Sequence, residues 1–300
     1  MVTVTITVRN QREYVETCIE SIVNQDFDRT FEIIAIDDAS TDGSVDVIEQ
    51  KFGSEVKIIK KASPSGWLDS LAKACKVTEK DILVFFDPHC KARPGWLRNI
   101  VGLFESNSKV SIVTGPSLHG ETFMHKLSAL TFHAGFLSQE KKFVDYIFDD
   151  NFAIKKSVLS ELLKALPVDR NVNDGIGSVL ISSKIKNNRL NVLYEPQVGV
   201  FHISLGFSEY LKEWSGFCAK TTIEARRLDP TIKGANWLKY AFLASFIYAL
   251  ARFTQDTVNI FRFRRELSIK LWEMPLLLLA SAVGKLYYLL GMLKYTAQYV

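Results

Sequence analysis

Four short runs of β-branched and aromatic residues recur through the first 90 residues, at Val2–Val8, Phe31–Ile36, Val56–Ile59 and Ile82–Phe86. Between them, apolar residues spaced three and four apart predict helices over Tyr14–Val23, Val45–Phe52 and Leu68–Val77. Strand and helix alternating through short loops dictate an α/β fold with a parallel sheet and right-handed crossovers. The first run, VTVTITV, alternates with Thr and reads as a half-buried or edge-leaning strand. The fourth, ILVFF, has no polar alternation and reads as a strand buried on both faces. Pro94 then breaks the chain, and WLRNIVGLFES follows as an amphipathic helix.

Two of these runs end in carboxylates, Asp37 and Asp38 after the second and Asp87 after the fourth. Polar groups at the carboxyl ends of parallel strands face the crevice where open α/β sheets bind ligands. The fingerprint G-x-G-x-x-G is missing after the first strand, which argues against a dinucleotide dehydrogenase. Carboxylates do not hold phosphate directly; they hold ribose hydroxyls, a base N–H, or a metal that in turn holds phosphate. Asp87 and His89, two residues apart at one strand exit, are such a pair of oxygen and nitrogen donors. A plain Asp–Pro turn at the end of a strand accounts for the same residues without function. Thr41, Asp42 and Ser44 suit a turn and the N-cap of the next helix.

The net charge of +4 is unevenly placed, because residues 226–300 hold 11 Lys or Arg against 4 Asp or Glu. This composition change divides the chain into 1–225, a ligand-binding domain, and 226–300, a helical, basic and aromatic-rich region. Tyr240–Ala251 is uncharged but too short to span a bilayer, and Met274–Leu293 is long enough but carries Lys285 at mid-depth. Basic residues interleaved with Trp, Phe and Tyr fit helices lying in a membrane interface, and a helical subdomain packed on protein is the other reading. No nucleic-acid-binding motif accompanies the basic residues, so nucleic acid is not expected as a partner. The 4 cysteines form no C-x-x-C pair, which predicts reduced thiols in a cytoplasmic setting and no zinc site. MVTVTITV lacks a charged n-region with an apolar core, so no signal peptide is expected.

Five ordered segments, read together, resemble family 2 glycosyltransferases over roughly residues 1–220. They are TVTITVRNQREYVETCIESIVNQDF, IIAIDDASTDGS, FFDPHCKARPGWL, DDNFAIKKSVL, and NDGIGSVLISSKIKNNRLNVLYEPQVGVFH. The resemblance implies a GT-A-type, mostly parallel sheet flanked by helices, with a C-terminal helical membrane-associated extension. It also implies an inverting, hexosyltransferase-like enzyme that takes a nucleotide-diphospho-sugar as donor. On that reading Asp38, with Thr7, Arg9 and Glu13 nearby, contacts the base and ribose, although Glu13 also suits a solvated carboxylate in a first helical turn. Asp87, His89 and His202 become the ligands of a divalent ion beside the diphosphate, and Asp174 becomes the base for the acceptor hydroxyl. Asp149 and Asp150 fall beside the donor sugar. His89 stands where the family has a second Asp, and an imidazole there favours Mn²⁺ over Mg²⁺. Asn173 stands where the family has a first acid. One base suffices for an in-line displacement, whereas two displacements need an additional nucleophile. A hydroxyl acceptor, a lipid-linked or membrane-proximal glycan, at the cytoplasmic face of a membrane is expected. The rival is a degenerate domain that binds nucleotide or partners without transfer.

Overall fold

The alternating first run does not lie at an edge. A computed structural model describes residues 2–166, 174–203 and 206–297. Its strands are β1 (Val2–Val8), β2 (Glu32–Asp37), β3 (Val56–Lys60), β4 (Ile82–Phe86), β5 (Cys90–Ala92) and β6 (Ile112–Thr114). They continue as β7 (Ser117–Leu118), β8 (Lys142–Val144), β9 (Asn151–Lys155), β10 (Val192–Tyr194) and β11 (Val200–His202). β1 lies between β2 and β4, parallel to both. Thr3 and Thr5 are therefore fully buried rather than solvent-facing. The Thr3 hydroxyl meets Thr78 at 2.6 Å and Glu32 at 2.9 Å, which meets the hydrogen-bonding demand of a polar group on a core face.

The large sheet has the order β3-β2-β1-β4-β9-β6-β10-β8. The four strands expected from the first 90 residues are its parallel half. β9 then runs antiparallel to both β4 and β6, which makes the sheet mixed. Successive side chains on a strand point to opposite faces. Val2, Val4, Ile6 and Val8 share one core with the helices Val15–Val23 and Trp96–Ser106. The alternate residues Ile34, Ile36, Leu83 and Phe85 are equally buried, so both faces of the sheet are covered.

The chain divides into two compact units, Met1–Ser117 with Ser138–His202, and Leu118–Leu137 with Ile203–Val300. The second begins ahead of the composition change at 225/226 and also takes in 118–137. It is helical, built on Phe123–Thr131, Ala219–Leu228, Ala241–Arg262 and Glu273–Ala297. Glu273–Ala297 is, among the described residues, the helix long and apolar enough to cross a membrane, and 44% of its most apolar window is buried inside the protein. Lys285 is part of that buried side. It pairs with Asp256 at 2.6 Å, and its ammonium lies 3.1 Å from the centre of the Trp214 ring. A cation that sequence places at mid-depth in a span is thus turned inward onto a carboxylate and an aromatic face. Gly284 and Gly291 let the same side approach closely, since a Cβ would fall 2.7 Å from the Tyr210 hydroxyl and 2.0 Å from the Ser215 carbonyl.

Candidate active site

The exits of β1 and β2 are tied into one ledge. The Thr41 amide donates to the Asn10 side chain (2.9 Å), the Arg12 amide to Asp42 (2.9 Å), and the Gln11 amide to the Ser44 hydroxyl (2.7 Å). Asp42 and Ser44 therefore bridge two loops, and Gly43 takes the N-cap position that the sequence suggested for Thr41, Asp42 or Ser44. Asn10 and Ala39 both adopt left-handed backbone (φ 54° and 59°), unusual for a non-glycine residue and most so for Ala39. Thr7 is half-buried at the end of β1, and Glu13 is exposed in the turn that follows.

Asp38 is buried and accepts from three donors: the Lys61 ammonium (2.9 Å), the Ser65 amide (2.8 Å) and the Gly66 amide (3.1 Å). Arg9 stands 3.7 Å away. Burial alone would raise the carboxyl, but the Ser65 amide, Lys61 and the Gly66 amide outweigh it and hold the group below the ordinary carboxylate range. Gly66 adopts φ 83°, a conformation open to glycine, and this lets its amide face Asp38. Asp38 thus organises the 61–66 loop as well as standing at the strand exit. Lys61, in turn, is committed to Asp38 and, at 3.2 Å, to Asp69.

At the end of β4, Asp87 accepts from the His89 amide (2.7 Å) and pairs with His89 Nδ1 (2.8 Å). An ionised carboxylate only accepts, so the proton lies on Nδ1 and the lone pair of a neutral ring on Nε2. Donating one ring N–H to a carboxylate is what metal-ligating histidines do. The His89 ring packs on Tyr14 (4.7 Å between centroids) and runs nearly parallel to His202 at 6.2 Å.

His202 arrives through a second sheet, of order β5-β11-β7. β5 pairs antiparallel with β11 so that His202 lies opposite Cys90. This brings ligand atoms of Asp87, Cys90 and His202 within 4.8 Å of one another. Cys90 escaped sequence reasoning. Its thiol is raised well above the ordinary value by burial, then by Asp150 and Asp87, so without an ion it stays protonated. Asp150 is buried, accepts from the Ser117 hydroxyl, receives the Asp87 amide on its carbonyl at 3.0 Å, and stands 3.8 Å from His202 Nε2. Asp150 thus reaches His202, while His89 stays outside the group that Asp87, Cys90 and His202 form among the described residues; carboxylate and imidazole together suit a divalent ion with mixed oxygen and nitrogen ligands. Asn151 holds the region together, accepting from Trp96 Nε1 (3.1 Å) and donating to the Val198 carbonyl (2.6 Å).

Asp174 opens the helix Asp174–Asn187. Its side chain and all of Asn173 lie outside the described residues. The helix is seated by Gly177, where a Cβ would come 2.4 Å from the Trp67 ring. Trp67 packs on Phe152 (6.1 Å) and Phe152 stacks on Phe85 (4.9 Å). One aromatic column thus links the start of the helix Trp67–Val77, strands β9 and β4, and the helix that Asp174 begins.

Residues 3–163, more than half of the 300-residue chain, match the family model for glycosyl transferase family 2. The chain belongs to glycosyl transferase family 2. It is 29% identical over 113 residues to an uncharacterized glycosyltransferase of Haemophilus influenzae, a stretch of 37% of this chain and 35% of that protein. It is 30% identical over 90 residues to a poly(ribitol-phosphate) beta-glucosyltransferase of Bacillus spizizenii, 29% of this chain and 14% of that protein. The chain therefore matches about a third or less of the length of these curated relatives. A mannosyltransferase from Pyrobaculum calidifontis, solved with GDP-Man and Mn²⁺, has a similar fold (TM-score 0.55, 16% identity, 99% of this chain and 86% of that one). So does GalNAc-T7, solved with UDP, GalNAc and Mn²⁺ (TM-score 0.54, 15% identity, 82% of this chain and 50% of that one). The GT-A fold implied by the sequence motifs is the fold of this family 2 chain.

Proposed function

We propose that this protein is an inverting glycosyltransferase that moves a hexosyl group from a nucleotide-diphospho-sugar to a hydroxyl acceptor. The observation that carries this reading is the β5–β11 register, which sets His202 beside Asp87 at the end of β4. Asp87, His89 and His202, with Asp150 added, would hold a divalent ion. Imidazole among the donors favours Mn²⁺ over Mg²⁺, and neighbours of the same fold were solved with Mn²⁺. When bound, the ion supplies Lewis-acid neutralisation of the departing diphosphate. Thr7, Arg9 and Asp38 line the exits of β1 and β2, where base and ribose would lie, and Glu13 sits exposed at their margin.

Asp174 takes the proton of the acceptor hydroxyl as that oxygen attacks opposite the leaving diphosphate, which inverts the anomeric carbon. A base is needed for a hydroxyl, whereas a phosphate acceptor is already ionised. The acceptor is accordingly a glycan hydroxyl, lipid-linked or membrane-proximal, with the 226–300 region holding the enzyme to the cytoplasmic face of a membrane. The four cysteines stand as free thiols, in keeping with that compartment.

The test is turnover of UDP-, GDP- and dTDP-sugars with Mn²⁺ or Mg²⁺, for wild type and Asp174→Asn. Asp174→Asn should lower transfer about 10²–10⁴-fold and leave donor binding within about twofold. Unchanged turnover removes Asp174 from the chemistry. Metal-independent binding without turnover of any donor supports the degenerate, non-transferring domain instead.

A further inference from the structure

The helical unit treats its charges in one direction. In residues 226–300, the acids Asp229, Asp256 and Glu273 are buried, and Glu266 is exposed. Asp256 pairs with Lys285, and Glu273 with Lys126 at 2.8 Å. Eight basic residues of the same stretch are exposed, among them Lys239, Arg252, Arg262, Arg265, Lys270 and Lys294. This stretch therefore pairs Asp256 and Glu273 internally and presents more cations than acids outward.

The same helices carry exposed apolar stripes. Leu243, Phe246, Leu250, Val258 and Phe261 recur at helical spacing along the 22-residue helix Ala241–Arg262, with Leu250 67% exposed. Leu276, Leu279, Leu286 and Leu290 do so along the 25-residue helix Glu273–Ala297, with Leu279 63% exposed. Leu271 and Trp272 stand out at the turn between them, directly after Lys270 in the chain. The opposite sides of both helices are fixed to protein. Asn259 donates to the Leu130 carbonyl (3.0 Å), Tyr288 bonds Thr222 (2.7 Å), and Lys285 faces Asp256.

We propose that these two stripes form a docking surface for an anionic lipid bilayer, with both helices lying along its interface rather than crossing it. This surface rests on the membrane attachment proposed above and is independent of the transfer chemistry. Charge complementarity selects the occupant: leucines and aromatics enter the acyl boundary while the exposed Lys and Arg meet anionic head groups. A lone crossing helix would have lipid on every side, whereas each of these has one side held by buried polar contacts. At about 33 and 38 Å long, the helices offer two extended apolar edges to a plane.

The experiment is flotation of the full chain with vesicles of phosphatidylcholine alone or doped with phosphatidylglycerol, across a salt series. Anionic vesicles should bind at least tenfold better, with the preference shrinking as salt rises. Arg262→Gln/Lys270→Gln should lose about fivefold per residue on anionic vesicles. Leu250→Glu/Leu279→Glu should lose binding to both, while its thermal unfolding and nucleotide binding show that it folds. Binding of wild type that is indifferent to lipid charge and to all four substitutions overturns the docking surface and leaves attachment standing. An absence of binding to any vesicle, with or without self-association through this face, overturns attachment itself. Retention in the bilayer after alkaline carbonate wash overturns the in-plane arrangement.

Discussion

The two units each bury a lysine–carboxylate pair and treat it oppositely. Asp38 and Lys61 sit in the first unit, Asp256 and Lys285 in the second. At Asp38, burial is outweighed by the Ser65 amide, Lys61 and the Gly66 amide, and the carboxyl is held low. At Asp256, burial wins over Lys285 and Ser281, and the carboxyl is raised. Lys285 is pushed down to about 8, chiefly by burial. Two things differ: Asp38 receives two backbone amides, and Asp256 is the more deeply buried. A carboxylate that receives fixed N–H donors stays charged in a dry site, whereas one left with a cation and a hydroxyl drifts toward neutrality. The first arrangement suits a group standing where ligands arrive; the second suits a joint between helices.

Substitutions at these pairs sharpen the contrast. The largest effect is expected for Asp38→Asn, which puts an amide against two backbone donors and leaves Lys61 buried. Guanidinium unfolding should show a loss of roughly 3–5 kcal/mol, and a loss under about 1 kcal/mol would mean that the 61–66 loop does not depend on this carboxylate. Lys285→Met should do less, roughly 1–3 kcal/mol, because Asp256 can take up a proton once its partner is gone. The double variant Lys285→Met/Asp256→Leu should return to within about 1 kcal/mol of wild type. If the double is worse than the single, the pair holds the helices in a way that apolar packing cannot replace.

The smallest effect is a pH signature. Unfolded lysine titrates near about 10.4, above the folded value of about 8 for Lys285. Between these values the unfolded chain binds the extra proton, so stability rises with pH there. Asp38 runs on the acid side. Its folded value is lowered, so its contribution is complete above the unfolded value, about 3.9, and is lost as pH falls through the folded one. Lys285→Met should erase the alkaline rise and leave the Asp38 contribution in place, while Asp256, raised further without its partner, makes stability fall as pH rises above the unfolded carboxyl value. An alkaline rise that persists in this variant would show that another group carries it.

Much of the first unit was legible in residue order. Local periodicity identified the strands and helices of the first 90 residues, and the motifs pointed to Asp38, Asp87, His89, Asp174 and His202 as candidate site residues, of which the structure brings Asp87 and His202 together. Other features left no local trace. VTVTITV looked like an edge because Thr is polar, yet Glu32 and Thr78, far away in sequence, bond Thr3 and permit a central position. Asp150 was visible as a carboxylate, but its place beside Asp87 depends on β9 running antiparallel to β4. Cys90 carried no motif at all, and only the β11 register opposite it reveals its neighbours.

Residue order settled the α/β alternation and the family and marked the candidate site carboxylates, because strand and helix periods and strand-exit chemistry are properties of neighbouring residues. Pairings between distant segments settled the rest: β1 in the centre, His202 beside Asp87, Gly177 against Trp67, and Lys285 turned onto Asp256. Burial and hydrogen-bond satisfaction are fixed by what packs against a residue, and a linear pattern does not contain that information.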